Sequence, residues 1–197
     1  MGDRLPVFTP QQSYLLTHSH DYFGLNHYTS RYASPDFVTP GGVFETDQHV
    51  NKSVYDVNGN LIGPMAASDW LYVVPWGFEK LVKYVDNRYG APIVITENGC
   101  DAPGENDMPI KEARADHFRV NYLHDYLSHL ADAVVKHKAD VRAYFVWSLM
   151  DNYEWSDGYS KRFGITYIDY ANGRTRMPNL SAKWYSTLVE LTRNQTA

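Results

Sequence analysis

Hydrophobic positions along the chain follow two periods, and their order outlines the fold. Over residues 78–89, Phe78, Leu81, Val82, Val85 and Tyr89 recur close to every 3.6 residues, and Gly90 follows as a stop. That spacing predicts an amphipathic helix. A longer helix is predicted over 114–137, where Phe118, Tyr122, Tyr126, Leu130 and Val134 come four apart with Leu123 and Leu127 beside them. A last one is predicted over 181–193, with Trp184, Leu188 and Leu191 on one stripe. Near the start, Thr9-Pro10-Gln11-Gln12 has a capping Thr, a Pro fit for the first helical position and a Gln able to close a capping box, so a short helix should run to about residue 18.

Between these lie short apolar runs without helical period, at 22–28, 91–96, 141–147 and 164–169. Residues 91–96 are β-branched and do not alternate, as expected of a strand buried on both faces of a parallel sheet. Residues 33–66 lack periodicity, carry Pro and Gly pairs and contain Asn58-Gly59-Asn60, which predicts a long loop or small hairpin of the kind that lines a functional face. Alternating helices and strands build parallel sheets through right-handed crossovers, so the expected class is α/β. In such folds chemistry sits at the carboxyl ends of the strands. Those ends read Asn26-His27-Tyr28, Glu97-Asn98, and Trp147 followed by the polar and aromatic residues 151–155.

Composition narrows the functional class. The 197 residues are enough for one domain with a sizeable core. A formal charge of −5 gives no basic excess and argues against nucleic acid as a partner. With 44% hydrophobic and 21% charged residues the chain is not disordered, while 5 Trp and 16 Tyr make it rich in aromatic rings. No apolar run approaches the roughly 18 residues of a membrane span. The opening MGDRLPVFTP is too charged and Pro-rich for a signal peptide, so a soluble chain is expected. Cys100 is the only cysteine, which forbids an internal disulfide and leans toward a reducing, cytoplasmic compartment.

A carboxylate at the end of a buried strand, with a phenol and indoles on neighbouring ends, suits sugar chemistry. The carboxylate can attack or stabilise an oxocarbenium centre, and indole faces stack on the C–H face of a pyranose. Taken singly, each piece has an ordinary explanation: a strand-end Glu as a solvated charge, a Tyr or paired Trp as packing. The wording of the motifs decides between the two. Ile-Thr-Glu-Asn-Gly at 95–99 and Val-Trp-Ser-Leu-Met-Asp-Asn-Tyr-Glu-Trp-Ser-Asp-Gly-Tyr-Ser-Lys-Arg-Phe-Gly at 146–164 resemble the last two barrel strands of the family 1 glycoside hydrolases, the retaining β-glucosidases. Asp-Tyr-Phe-Gly-Leu-Asn-His-Tyr-Thr-Ser at 21–30 resembles their sixth strand, in the same order.

The resemblance implies roles for seven residues. Glu97 would be the nucleophile that forms a glycosyl-enzyme intermediate. Tyr28 would donate a hydrogen bond to it, with Asn26 nearby facing the sugar or the acid. Trp147 would floor the glycone subsite, Glu154 would accept from the O4 and O6 hydroxyls, Trp155 would donate to O3, and Phe163 would close the wall. An acidic Glu154 would repel a 6-phosphate, so unphosphorylated β-glucosides or related sugars are the implied substrates. No cofactor is implied.

The family fold is a (β/α)8 TIM barrel whose acid/base Glu stands in an Asn-Glu-Pro motif, and this sequence contains no Asn-Glu-Pro. The resemblance therefore implies a partial barrel over 1–197: the carboxyl-terminal portion, strands 6 to 8 with their helices, lacking the amino-terminal strands 1 to 5. Such a piece has open sheet edges, which implies a partner in the amino-terminal part of the barrel or self-association. A retaining mechanism needs a second carboxyl about 5 Å from the nucleophile, so the chain alone is expected to be inactive. The alternative is a non-catalytic carbohydrate-binding or structural partial barrel. A metal site at His18, His20 and Asp21 lacks a supporting cluster and reads better as a polar loop. Cys100 has no helper His to make it a nucleophile.

Overall fold

The computed structural model describes residues 5–17 and 19–195. At the centre is a parallel three-stranded sheet of β1 (Phe23–Asn26), β4 (Ile93–Asn98) and β5 (Val141–Val146), in the order β1-β4-β5. Before it, α1 (Pro10–Thr17) is closed by the expected capping box: the Gln12 amide donates to Thr9 Oγ1 at 3.2 Å and the Thr9 amide to Gln12 Oε1 at 2.9 Å. No residue of α1 is buried.

The excursion after β1 is a two-stranded antiparallel sheet, β2 (Tyr32–Pro35) with β3 (Val50–Ser53), spanned by the short α2 (Phe44–Asp47). Asn58-Gly59-Asn60 does form a tight turn. Asp56 Oδ1 accepts the Asn58 and Asn60 amides at 2.8 Å, Gly59 takes φ 81°, and Tyr55 bridges Leu61 across the turn.

Two crossovers join the central strands. Helix α3 (Pro75–Tyr89) starts three residues earlier than periodicity predicts, because Pro75 fits the first turn, and it ends at Gly90 with φ 62°. The second crossover breaks into α4 (Ile110–Ala113) and the long α5 (His117–His137). Helices α3 and α5 pack together on one face of the sheet, burying Phe78, Val82, Val85, Tyr122, Leu123, Tyr126 and Leu130 against Leu25, Ile93 and Ile95.

That one-sided packing corrects the expectation that 91–96 is buried on both faces. Ile93 and Ile95 are inaccessible, but Val94 and Thr96 are only half-buried, Gly24 and Asn26 are exposed, and Phe145 is 56% exposed. Among the described residues only one layer of helices covers the sheet, and the sheet does not close into a barrel.

The apolar run at 164–169 also lies outside the parallel sheet. Its strand β6 (Thr166–Asp169) pairs antiparallel with β7 (Thr175–Pro178), which the sequence pattern did not mark. No helix long enough for a crossover separates β5 from β6, so a parallel position is out of reach. The chain ends in α6 (Leu180–Gln195).

Two buried charge networks tie the loops to this frame. Arg119, fully buried on α5, donates to Asp116, Glu105 and the Cys100 and Arg162 carbonyls. Asp151 accepts from Arg162 and from the Gly164 and Ile168 amides, which holds the long segment after β5 in shape.

Candidate functional site

Register brings the three strand ends together. Asn26 lies opposite Glu97, and Asn98 opposite Val146. Beyond the paired residues the ladder continues, with the His27 amide donating to the Glu97 carbonyl and the Trp147 amide to the Asn98 carbonyl, both at 2.9 Å. Each pairing has a register irregularity just before these residues, the kind of bulge that re-aims side chains at a strand end. Gly99 makes the approach possible, since a Cβ there would stand 1.8 Å from the Trp147 carbonyl oxygen.

All seven sequence-predicted residues, Asn26, Tyr28, Glu97, Trp147, Glu154, Trp155 and Phe163, line one open cleft of about 280 Å³. The eighth lining residue, Trp70, was missed. It comes from the loop before α3, and its ring meets Tyr28 edge-on at 6.0 Å, as Phe163 does from another side. A lone Trp in a loop without periodicity carries no sequence signal; the loop is fixed by distant partners, with the Arg31 side chain bonded to the Trp70 carbonyl, the Thr29 hydroxyl to the Tyr72 backbone and Ser68 to Asp101.

The Tyr28 phenol donates to Glu97 Oε2 at 2.5 Å. Burial, the bond to Glu97 and the charges of Glu97 and Glu154 all hold that phenol well above its ordinary pKa, so it remains a donor. Glu154 is half-buried and takes a hydrogen bond from the Trp147 side chain. Burial raises its pKa, aided by the neighbouring charges of Asp101, Asp157 and Glu97, while the Trp147 bond opposes the rise. Trp155 stands 79% exposed at the rim with a left-handed backbone, φ 45°, and Asn26 accepts from the Thr96 hydroxyl on the open face of the sheet. The peptide bond between Trp147 and Ser148 is cis.

Beneath the carboxylate a polar web fixes the backbone. Asn98 Nδ2 donates to the His27 carbonyl at 2.7 Å and to Tyr122 Oη at 3.0 Å, and Tyr144 Oη donates to Asn98 Oδ1 at 2.6 Å. Tyr122 and Tyr126 in turn donate to the Tyr28 carbonyl at 2.8 and 3.1 Å. On α5 these two tyrosines read only as core positions; that their hydroxyls sit under the site depends on tertiary packing. Donor groups, aromatic walls and a strand-end carboxylate thus surround a space fit for a polyhydroxylated ring.

Glycosyl hydrolase family 1 matches residues 1–194. The chain belongs to that family. It is 43% identical over 192 residues to Beta-glucosidase 25 of Oryza sativa subsp. japonica and 45% over 193 residues to Beta-glucosidase 42 of Arabidopsis thaliana. These matches cover 95% and 96% of this chain but 38% and 39% of the relatives. Among solved structures it superposes on beta-glucosidase 2 from the fungus Trichoderma reesei, in complex with Tris, with TM-score 0.89 and 42% identity, covering 97% of this chain and 41% of that one. The family 1 β-glucosidase of the fungus Humicola insolens, in complex with glucose, gives TM-score 0.89 and 43% identity over 96% of this chain and 40% of that one.

The family 1 chain is therefore partial, spanning about two fifths of its relatives' length. The more specific expectation, a carboxyl-terminal portion, is corrected: the matches establish a share of 38–41% and not an end. Strand–helix units of a (β/α)8 fold repeat the same local geometry around the axis, so three parallel strands with their crossovers do not mark their own place in it.

The cleft holds carboxylates but neither His nor Cys, so it offers no mixed metal-ligand set. Of the sequence-stretch weighed for a metal, His18 lies outside the described residues, and His20 and Asp21 are exposed. No described helix is long and apolar enough to cross a membrane.

Proposed function

We propose that this family 1 chain supplies the nucleophile and glycone pocket of a retaining β-glucosidase. The observation that carries the reading is the Tyr28–Glu97 bond inside a cleft walled by Trp70, Trp147, Trp155 and Phe163. Glu97 attacks the anomeric carbon and the aglycone oxygen leaves with its electron pair. Water then displaces Glu97 from the glycosyl-enzyme intermediate. Tyr28, kept protonated, orients the attacking carboxylate. Glu154 accepts sugar hydroxyls, Trp155 donates from the rim, and the Trp147 indole supplies the apolar floor.

With Glu154 engaged in binding, the carboxyl that protonates the leaving oxygen and later activates water comes from outside this chain, from the remainder of a family 1 barrel. The unpaired edges of β1 and β5, the open sheet face at Phe145 and the unburied α1 support such a docking partner. The substrate class is an unphosphorylated β-glucoside, in keeping with the glucose held by the Humicola insolens relative.

The test is covalent labelling. A 2-fluoro glucoside with an activated leaving group, incubated with the chain complemented by the remaining portion of a family 1 barrel, should label the peptide containing Glu97. A label mapped to Glu154 or to any other residue overturns the assignment.

A further inference from the structure

On the α3–α5 pair, four side chains that do not line the cleft surround one point. Glu79 of α3 faces three residues of α5. His129 Nδ1 lies 2.6 Å from Glu79 Oε2, and His137 Nε2 lies 3.3 Å from Glu79 Oε1. Asp132, one turn beyond His129, completes the group. One donor atom each from Glu79, His129 and Asp132 lie within 4.8 Å of one another, and this is the one such group of His, Cys, Asp and Glu found among the described residues. All four side chains are between one fifth and two fifths exposed, so an ion can reach them from solvent.

We propose that Glu79, His129 and Asp132 form a zinc-type metal site that clamps α3 to α5. One imidazole and two carboxylates from protein, with water in the remaining position, make a four-coordinate donor set that Zn2+ accepts and the hard ions Mg2+ and Ca2+ favour less. Ligands at about 2.0–2.2 Å from an ion lie no more than about 4.4 Å from each other, so small side-chain rotations close the present group. In the metal-free state His129 Nδ1–H donates to Glu79. On binding, its proton resides on Nε2 and the Nδ1 lone pair turns to the ion. His137 keeps its bond to the other Glu79 oxygen and holds that carboxylate in place, the usual task of an outer partner. Lys136 bonds Asp132 Oδ2 at 2.8 Å and sets a cation beside the site.

The last point supplies the sharpest test. The metal-stripped 197-residue chain is titrated with Zn2+ against a chelating dye in excess Mg2+, and with Co2+ by visible absorption. One equivalent should bind, with an intense tetrahedral Co2+ band. His129→Ala should weaken binding by at least about 100-fold, and His137→Ala by about 10- to 100-fold. Lys136→Ala should tighten it, since it removes a cation that repels the ion. Lys136 is an exposed residue, so that variant does not depend on a disturbed core. No bound equivalent, affinity indifferent to His129→Ala, or affinity unchanged or weakened by Lys136→Ala would each overturn the proposal. None of these readouts involves glycosidase activity.

Discussion

Tyr28 and Glu97 are 69 residues apart in sequence and joined by a 2.5 Å hydrogen bond in space. The contact is not a chance meeting of two long side chains. The Tyr28 carbonyl is gripped by the Tyr122 and Tyr126 hydroxyls, and the backbone of Glu97 is pinned by the His27 amide and by the fully bonded Asn98 next to it. Donor and carboxylate are thus both fixed by the fold itself, the preorganisation that the proposed glycosidase reaction would draw on.

Tyr28→Phe should slow covalent labelling of Glu97 by a fluorinated glucoside. Losing a hydrogen bond to a charged group costs about 1.5–3 kcal/mol, or about 10- to 100-fold in rate. The measurement is the labelling rate in the complemented enzyme; an unchanged rate would remove Tyr28 from the mechanism.

Glu154→Ala in the complemented enzyme should lower kcat/KM for aryl glucosides by about 2–3 kcal/mol of transition-state binding. The loss should shrink for substrates lacking the hydroxyls that Glu154 accepts. Equal losses on both substrate types would assign Glu154 a purely structural role.

The chain alone should not turn over aryl glucosides. General acid–base help is typically worth about 10²–10⁴-fold, and although a nitrophenol leaves with little protonation, the second step still lacks its base. Multiple turnovers by the purified chain, abolished by Glu97→Gln, would mean that the chain carries its own second catalytic carboxyl.

His27 should make stability fall in mild acid. Burial lowers its pKa from 6.5 to about 4, its ring stacks on Phe78 at 4.9 Å, and its Nδ1 is buried without a partner. Between pH 6.5 and about 4 the unfolded chain therefore binds a proton that the folded chain refuses. The His27 contribution is complete above pH 6.5 and declines as pH falls toward 4, by up to about 3 kcal/mol. Urea unfolding at several pH values should show this slope in the wild type and a shallower one in His27→Phe.

Gly99→Ala should destabilise the chain by about 1–3 kcal/mol, the range for forcing atoms into a packed site. The added methyl would collide with the Trp147 carbonyl and pry β4 from the start of the following segment. Urea midpoints and the near-ultraviolet signal of Trp147 report both effects.

The sequence by itself determined the elements whose signal is local. The capping Thr9, the period of 78–89 with its terminal Gly90, the turn at Asn58-Gly59-Asn60 and the existence of strand β4, though not its burial on both faces, all depend on residues close in the chain, and all are present. It also named seven of the eight cleft residues, because three motifs, at 21–30, 95–99 and 146–164, resemble those of one family.

Tertiary structure decided what depends on distant partners. Trp70 enters the cleft because distant side chains, Arg31, Thr29 and Asp101 among them, hold its loop against Tyr28. Tyr122 and Tyr126 become supports of the site only when α5 crosses beneath the strand ends, since a helical period records which face is buried and not what a hydroxyl finds there. Val94 and Phe145 are apolar and read as interior, yet they face an uncovered side, because burial is a property of the neighbouring layer and not of the strand. Glu79 and His129, 50 residues apart, meet for the same reason: helix packing sets their 2.6 Å separation, and no spacing in the chain encodes it.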